Sequence, residues 1–200
     1  MCQIHFRTLN MNWLNQLDTD FFLFLNGHHS PVLDQVMEWI TRKQSWYPFY
    51  AFLVIGLMWK LKKRTLFLIP LLVLAITLAD QFSSALLKPL VARLRPCHDL
   101  SLQALVHLTG DCGGQYGFAS SHAANSFALA AMLYLLFRKR WRWTVYLFVW
   151  AIVVSYSRIY VGVHYPLDVI AGAGIGTLIS LGLVQIGCKY VPPIKSLQEL

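Results

Sequence analysis

Long apolar runs separated by short polar segments are the dominant pattern of this chain. A helix crosses a bilayer core about 30 Å thick with roughly 20 mostly apolar residues. Runs close to that length occupy residues 46–62, 65–87, 121–138, 141–157 and 166–187. Tryptophans, which favour the membrane interface, lie near the ends of these runs at Trp46, Trp59, Trp141 and Trp143. The pattern predicts an all-α integral membrane protein built as a bundle of about five transmembrane helices.

Residues 11–43 have a different, amphipathic pattern, in which an apolar face is interrupted by polar side chains such as Asp18. Gly27 ends the first half of this segment and Pro31 opens the second half. We expect two helices lying in or near the membrane interface. The alternative is a sixth, short membrane-inserted segment at Phe21–Leu25.

The chain therefore divides into an N-terminal amphipathic region at 1–45, a transmembrane core at 46–188 and a tail at 189–200. The first ten residues mix polar and apolar types and lack the apolar stretch of a cleavable signal peptide. We expect the internal spans to direct membrane insertion.

The net charge of +8 is distributed as membrane topology requires. Ten of the 17 Lys and Arg residues lie in short clusters that flank apolar runs, mainly at 60–64 and 138–142. Basic loops of this kind lie on the cytoplasmic side, so we expect a bilayer and not a nucleic acid as the partner. The N-terminus is then outside, the tail is cytoplasmic, and segments 88–119 and 157–166 share the outer face.

Within the transmembrane core, His164 and Asp168 are the first candidates for chemistry. Pro166 lies between them and predicts a helix start there, so their contact would join a loop to a helix. A carboxylate bonded to one imidazole nitrogen leaves the other nitrogen as a nucleophile. Alone, the pair is more simply explained as an interfacial histidine beside a first-turn helix charge.

Three further cations, Lys88, Arg95 and Arg158, are suited to phosphate because Arg binds it bidentately and Lys acts as a point charge. Lys88 and Arg95 are separated by about two helical turns, so we expect both on one helix face, with Pro96 ending that helix. The alternative for such residues is snorkelling to lipid headgroups, which we expect of Arg93.

The sequence Ser120-Ser121-His122 begins the third apolar run. Either serine could cap the helix, and for Ser121 capping is the simpler expectation. Free N–H groups at such a helix start favour an anion, and His122 in the first turn could face it. Deeper in the second run, Asp80 is expected to have a structural role with a polar group nearby or on another helix.

These three segments together resemble the signature motifs of the type 2 phosphatidic acid phosphatase superfamily. The first motif (Lys, six residues, Arg-Pro) matches at Lys88–Pro96, and the third (Ser-Arg, five residues, His, three residues, Asp) matches at Ser157–Asp168. The second is usually Pro-Ser-Gly-His and reads Ala119-Ser120-Ser121-His122 here. The resemblance spans about residues 65–187.

The resemblance implies a metal-independent phosphoryl transfer in two steps, with no cofactor. His164 would attack phosphorus and carry a phosphohistidine, Asp168 would orient it, and His122 would protonate the leaving oxygen and then activate water. The phosphate oxygens would be held by Lys88, Arg95, Arg158, Ser120 and Ser121.

Cys97 and Cys112 lie in the same predicted external loop, where a disulfide is favoured in an oxidising compartment. Two free thiols in a reduced loop are the alternative. No metal site is expected, because the histidines and cysteines lack the spacing of zinc ligands.

The predicted function is a lipid phosphatase whose site faces the outer leaflet, which in a bacterium is the periplasmic side of the inner membrane. Undecaprenyl pyrophosphate and phosphatidylglycerol phosphate are favoured, and phosphatidic acid and lipid A are further candidates. The alternatives are a lipid phosphotransferase that uses the same phosphohistidine and a non-catalytic lipid-phosphate binder or transporter. A soluble haloperoxidase of the superfamily is excluded by the hydrophobicity of the chain.

Overall fold

The computed structural model describes residues 2–198, with side chains from residue 13 onward, and these residues fold into helices joined by turns. Residue 1, the side chains of residues 2–12 and the last two residues of the tail lie outside this description. The expectation for a leader in the first ten residues stays a prediction. The helices are α1 (Cys2–Asn26), α2 (Pro31–Thr41), α3 (Tyr47–Leu61), α4 (Thr65–Gln81, continued by a π-helical turn at Phe82–Leu87), α5 (Lys88–Val91), α6 (Ser121–Phe137), α7 (Tyr146–Tyr160), α8 (Pro166–Tyr190) and α9 (Pro192–Gln198).

Several helices have both the length and the apolar surface that crossing a membrane requires. Three helical stretches within residues 2–198 are long and apolar enough to cross a bilayer, at Lys43–Val91, Arg142–Tyr160 and Pro166–Tyr190, and α6 is a shorter apolar helix. Large side chains such as Phe52 and Leu66 are exposed on these helices, as expected for surfaces that face lipid. The predicted all-α membrane fold is confirmed. The division into three regions remains a prediction.

The 49-residue stretch at 43–91 is not one straight helix. Lys62 has a positive φ of 52°, and the Thr65 hydroxyl donates a 3.3 Å hydrogen bond to the Leu57 carbonyl eight residues earlier. In a straight helix those residues would be about 12 Å apart along the axis. The chain therefore turns at Lys62–Arg64, and α3 and α4 match the expected runs at 46–62 and 65–87.

The centre of the bundle is the close packing of α6 against α8. A Cβ atom added at Gly172 or Gly176 would collide with the backbone carbonyls of Ser120 and Ala124. The Ser180 hydroxyl also donates a 2.8 Å hydrogen bond to a carbonyl of α6. This contact fixes the N-terminal ends of α6 and α8 beside each other, which later matters for the site.

The N-terminal helices end and begin where the sequence indicated, at Asn26 and Pro31, although α1 extends back to Cys2. Asn26 is fully buried and ties α1 to the rest of the protein. Its side-chain amide donates to the carbonyl of Tyr160 at 2.7 Å and of His107 at 2.9 Å, and it accepts from the His107 amide at 2.8 Å. The location of these helices in the membrane interface remains a prediction.

Different segments of the chain form the two ends of the bundle. The basic turn at Lys62–Arg64 packs against α9, and Gln198 of α9 reaches the Leu135 carbonyl near the end of α6. The starts of α6 and α8 and the end of α7 lie at the opposite end. All three sequence motifs therefore occupy the end away from the basic turns.

Candidate active site

The segment between Lys88 and Arg95 is not a continuous helix, which corrects the expectation of a shared helix face. Helix α5 ends at Val91, and Ala92 adopts a left-handed conformation with φ of 50°. The residues between α5 and α6, 92–120, form the long loop of the protein. The start of this loop pairs with its end, because the Arg95 amide donates to the Gln115 carbonyl at 3.1 Å. Lys88 and Arg95 are brought together by this loop and not by helical periodicity.

Arg95 is held by the loop backbone from both sides. Its Nε donates to the Tyr116 carbonyl at 3.2 Å and its Nη1 donates to the Cys112 carbonyl. Cys112 is joined to Cys97 by a disulfide bond. Burial is the main cause that lowers the pKa of Arg95, and the carboxylates of Asp168 and Asp111 oppose it. The side chain remains a guanidinium cation at neutral pH.

Arg158, near the end of α7, is fixed by the N-terminal region of the chain. Its Nη1 donates a 2.6 Å hydrogen bond to the hydroxyl of Thr41, the last residue of α2. Its Nε is buried and makes no hydrogen bond to any described residue. A buried guanidinium N–H without an acceptor costs folding free energy unless a ligand accepts its hydrogen bond.

His164 and Asp168 meet as a loop-to-helix pair, as the position of Pro166 indicated. Tyr165 is the N-cap of α8, and its amide donates to Oδ2 of Asp168 at 3.1 Å. The same oxygen lies 3.4 Å from Nδ1 of His164. Both side chains are almost completely buried. This contact leaves Nε2 of His164 as the ring nitrogen available for chemistry.

The backbone of the long loop covers this pair at Gly117. A Cβ atom there would lie 2.8 Å from the Asp168 carboxylate and 3.5 Å from Nδ1 of His164, so the loop can approach this closely only with glycine. The Gly117 carbonyl also lies close to the His164 ring. The loop therefore forms one wall of the site in addition to connecting two helices.

The electrostatic surroundings keep the His164 imidazole neutral. Burial is the largest cause, and repulsion from Arg158, Arg95 and Lys88 adds to it, so the pKa of His164 lies well below its usual value. At neutral pH the ring therefore carries a free lone pair. The same cations must lie close to His164 to have this effect, so the structure brings together Lys88, Arg95, Arg158 and His164.

The side chains of Ser120 and Ser121 make no capping hydrogen bond, which corrects the simpler expectation for Ser121. Ser120 is the N-cap residue of α6 without a side-chain capping bond, and Ser121 is already the first helical residue. Both hydroxyls are buried and have no hydrogen-bond partner among the described residues. His122 follows in the first turn, and its ring lies close to the backbone carbonyl of Thr41. Thr41 thus contacts both His122 and Arg158.

Two residues that the sequence did not indicate complete the surroundings of Asp168. Arg93 Nη1 lies 3.0 Å from Oδ1 of Asp168, and Arg93 Nη2 lies 2.7 Å from Oδ2 of Asp18 on α1. Its guanidinium also stacks 3.9 Å from the centre of the Tyr165 ring. Oδ1 of Asp18 in turn accepts from the Leu167 amide at 2.9 Å.

The expectation that Arg93 snorkels to lipid headgroups is therefore wrong, because this side chain points into the protein and pairs with two buried carboxylates. The only sequence signal was indirect. Asp18 interrupts an apolar helix face, and Arg93 lies inside the first motif. Neither position reveals its partner, which lies 75 residues away from each of them or more.

Asp80 has the structural role expected of it. Its carboxylate accepts from the side-chain amide of Asn125 on α6 at 3.0 Å and from the Ser84 hydroxyl at 3.2 Å. This bond links α4 to α6 one turn below His122. The carboxylate is also close enough to Lys88 to interact with its charge.

Taken together, the arrangement favours a tetrahedral oxyanion beside His164. Three cations converge although like charges repel, and Ser120 Oγ, Ser121 Oγ and Arg158 Nε are buried donors that have no partner within the described part of the chain. Preorganised donors of this kind stabilise the charge that develops on phosphoryl oxygens during transfer. The neutral imidazole of His164 suits an attacking group, and His122, close enough to interact with it, suits a proton donor.

Comparison with known proteins identifies the family. The model of the PAP2 superfamily matches residues 69–190, more than half of the chain. The chain belongs to the PAP2 superfamily. The family predicted from the three motifs is thereby confirmed, and this member is a membrane-bound phosphatase, a hydrolase of phosphate esters.

Three similar proteins illustrate this PAP2 relationship. The chain is 44% identical over 172 residues to a lipid A 4'-phosphatase of Bacteroides thetaiotaomicron, covering 83% of this chain and 75% of that protein. It is 31% identical over 186 residues to an undecaprenyl-diphosphatase of Sulfolobus acidocaldarius, covering 92% of this chain and 84% of that protein. The crystal structure of Aquifex aeolicus LpxE superposes with a TM-score of 0.68 at 28% identity, covering 84% of this chain and 95% of that one.

Proposed function

We propose that this protein removes a phosphate group from a membrane lipid at the outer face of the membrane, through a phosphohistidine on His164. The observation that carries the proposal is the buried, neutral His164 imidazole surrounded by Lys88, Arg95 and Arg158. A binder or transporter of lipid phosphate would need the cations, but it would not need a neutral imidazole held by a carboxylate.

In the first step, Nε2 of His164 attacks phosphorus and the bond between phosphorus and the lipid oxygen breaks. The negative charge of the bound phosphate favours the protonated form of His122, which gives its proton to that oxygen, so the lipid leaves as an alcohol. The nonbridging oxygens are held by the three cations and by the hydroxyls of Ser120 and Ser121. These donors are already fixed before the reaction, so little reorganisation is needed when the charge moves.

In the second step, a water molecule attacks the phosphohistidine and the bond between phosphorus and nitrogen breaks. His122, now neutral, takes the proton from the attacking water and returns to its starting state. Inorganic phosphate leaves. No step requires a metal ion, because the protein cations neutralise the phosphoryl charge.

Arg93 and Asp18 act in this proposal as positioning residues. Asp168 orients His164 through one oxygen, and Arg93 fixes the other oxygen at 3.0 Å. Asp18 holds Arg93 at 2.7 Å from α1 and also the Leu167 amide at the start of α8. The amphipathic first helix thereby supports the nucleophile without touching the substrate.

The lipid class we favour is lipid A phosphate, ahead of undecaprenyl pyrophosphate. The higher identity, 44%, is to a protein named for lipid A, whereas the undecaprenyl-diphosphatase is 31% identical. Phosphatidylglycerol phosphate and phosphatidic acid follow. The outer-face orientation rests on the basic turns at Lys62–Arg64 and Arg138–Arg142, which lie at the end of the bundle away from the site.

The decisive test is phosphate release by the purified protein in detergent with excess chelator. The substrates are lipid A phosphate, undecaprenyl pyrophosphate, phosphatidylglycerol phosphate and phosphatidic acid. The variant is His164→Ala, and the matched control is His28→Ala, because His28 is exposed at the end of α1. We expect chelator-resistant release that is lost in His164→Ala and retained in His28→Ala.

Retained activity in His164→Ala would exclude His164 as the nucleophile. A brief reaction with phosphate-labelled lipid, stopped by denaturation, should leave an acid-labile label on the wild-type chain and none on His164→Ala. Label that passes to an added acceptor lipid without release of free phosphate would identify a phosphotransferase instead.

A further inference from the structure

A separate cavity lies directly beside His122, on the side away from the long loop. It has a volume of about 300 Å³ and is enclosed by the Lys43–Trp46 turn, α3, α4, α6 and α7. Ser121 and His122 form its boundary with the phosphoryl site, and its wall includes Lys43, Asp80, Asn125 and Trp150. Because His122 is the proposed proton donor to the leaving oxygen, whatever is attached to that oxygen must occupy this neighbourhood.

The cavity contains buried polar atoms that lack partners. Asn125 Oδ1, Trp150 Nε1 and Ser121 Oγ are buried and make no hydrogen bond to any described residue. They comprise one acceptor, one donor and one hydroxyl that can act as either. Buried polar atoms are normally satisfied, so an occupant that both donates and accepts hydrogen bonds suits this wall.

The charge of the cavity differs from that of the phosphoryl site. It has one cation, Lys43, and one carboxylate, Asp80, which is already engaged by Asn125 and Ser84. The two charges nearly cancel. A second phosphate group, as in a polyprenyl diphosphate, would meet a carboxylate and only one lysine, whereas neutral hydroxyl and amide groups would meet no electrostatic penalty.

Aromatic side chains form the remaining wall near the entrance. Trp46, Tyr50 and Trp150 line the cavity, with the Trp46 and Tyr50 rings 5.6 Å and 6.1 Å from Trp150 in edge-to-face geometry. Such rings combine an apolar face with a polar tip and suit a ring that is apolar on its faces and polar at its rim. Ile76 and Leu129 also line the cavity and form its apolar end.

We propose that this cavity is the subsite for the leaving group and that it accepts a neutral sugar ring bearing hydroxyl and amide groups. The inference rests on the proposed function and deepens it, since it assigns substrate preference to Asn125 and Trp150. The sugar lies against the aromatic wall. Its hydroxyl and amide groups hydrogen-bond to Asn125 Oδ1 and Trp150 Nε1, and the attached lipid chains continue towards the apolar end.

The test compares kcat/KM for a hexosamine-phosphate lipid with kcat/KM for undecaprenyl diphosphate in the purified full chain. Trp150→Phe removes the indole N–H and keeps an aromatic ring, and Asn125→Leu removes the amide with little change of volume. Each lost hydrogen bond should lower the ratio of the two kcat/KM values about tenfold. The matched control is Trp143→Phe, since Trp143 is exposed at the opposite end of the bundle.

An unchanged ratio in both variants would overturn the inference, as would turnover of the diphosphate alone by the wild type. A selective loss of diphosphate turnover in Lys43→Gln would also overturn it, because Lys43 would then bind a second phosphate. Absence of phosphate release from every lipid by the wild type would instead remove the proposed function, and the inference with it.

Discussion

Cations are concentrated at both ends of this helical bundle, but in opposite environments. At one end, Lys62–Arg64 and Arg138–Arg140 are exposed in short turns. At the other end, Arg95 is buried, and Lys88 and Arg158 are partly buried beside a neutral histidine. Exposed charges are solvated and contribute little individually, whereas buried charges of one sign are tolerated only where an anion compensates them.

The difference teaches that residue type alone does not distinguish a topology signal from a binding site. Arg138 and Arg158 both lie near helix ends that flank apolar runs. Only Arg158 has a buried donor without a partner and a fixed contact to another helix. Burial and the convergence of separate segments separate the two roles, and the predictions below test this separation.

The largest effect is expected from removing a buried cation. Arg158→Ala should lower kcat/KM by about 1,000-fold, because a preorganised donor to the phosphoryl oxygens is lost in a water-poor site. Arg138→Ala, at the exposed end, should change kcat/KM less than about twofold. The measurement is initial-rate phosphate release in detergent, with circular dichroism to confirm folding. Equal effects of the two substitutions would contradict the comparison.

A smaller but still large effect is expected at Arg93. Arg93→Gln leaves Asp168 without its partner and should lower kcat about 100-fold through misplacement of His164, with KM changed less than about threefold. Arg93→Lys should restore part of the loss, since it returns the charge without the planar fork. Asp18→Asn removes the charge of the carboxylate that holds Arg93, so it acts on Asp168 only indirectly. It should lower kcat less than Arg93→Gln does.

A parallel rise in KM and fall in kcat for Arg93→Gln would instead indicate that Arg93 binds substrate directly. Loss of thermal stability without any change of kcat in the folded fraction would indicate a purely structural ion pair. The split between kcat and KM therefore distinguishes positioning from both alternatives.

An intermediate effect is expected from the disulfide. Replacing both Cys97 and Cys112 by serine opens a loop closed over 15 residues and should destabilise the protein by about 3 kcal/mol in the chain-entropy account. Because the Cys112 carbonyl also holds Arg95, KM should rise several-fold. The readouts are Tm and KM, and Cys188→Ser, outside the disulfide, is the matched control. An unchanged Tm and KM would show that the loop needs no covalent closure.

The smallest effect is a shift of the pH profile. Repulsion by Lys88 is one cause that lowers the pKa of His164, so Lys88→Gln should raise that pKa. The neutral nucleophile is then lost at a higher pH as the solution is acidified. The acid limb of kcat/KM should move to higher pH in the variant, with a lower plateau. Substrate ionisation is the same for both proteins, so a limb that does not move would mean that the substrate alone sets it.

Much of the fold could be predicted because it depends on local properties of the chain. The lengths of the apolar runs indicated α3, α4, α6, α7 and α8, and Gly27 and Pro31 indicated the break between α1 and α2. The motif spacings similarly indicated the residues that surround His164. The glycines of α8 were less predictable, since Gly172 and Gly176 pack tightly against α6 while Gly174 faces open space.

The errors have a common physical origin. The expectation that Lys88 and Arg95 share a helix failed because loop pairing between Leu94 and Tyr116 replaced helical continuation. The capping expectation for Ser121 failed because the helix begins at Ser121 itself, one residue earlier than capping by Ser121 would require. At the start of α6 the Ser120 amide donates to the Asp168 carbonyl at 2.9 Å, so in each case a contact between distant segments accompanies the departure from the local preference.

The sequence by itself determined that this is an all-α membrane protein of the PAP2 superfamily. The length of an apolar run and the spacing of a motif can be seen in the sequence without knowledge of the tertiary contacts. Only the tertiary structure decided that Arg93 and Asp18 support Asp168, that Thr41 contacts both His122 and Arg158, and that a polar cavity adjoins His122. The ion pairs of Arg93 and the hydrogen bond between Thr41 and Arg158 join residues 75 to 117 positions apart. Only the packing of complete helices, dominated by the burial of their apolar faces, brings such residues within hydrogen-bond distance.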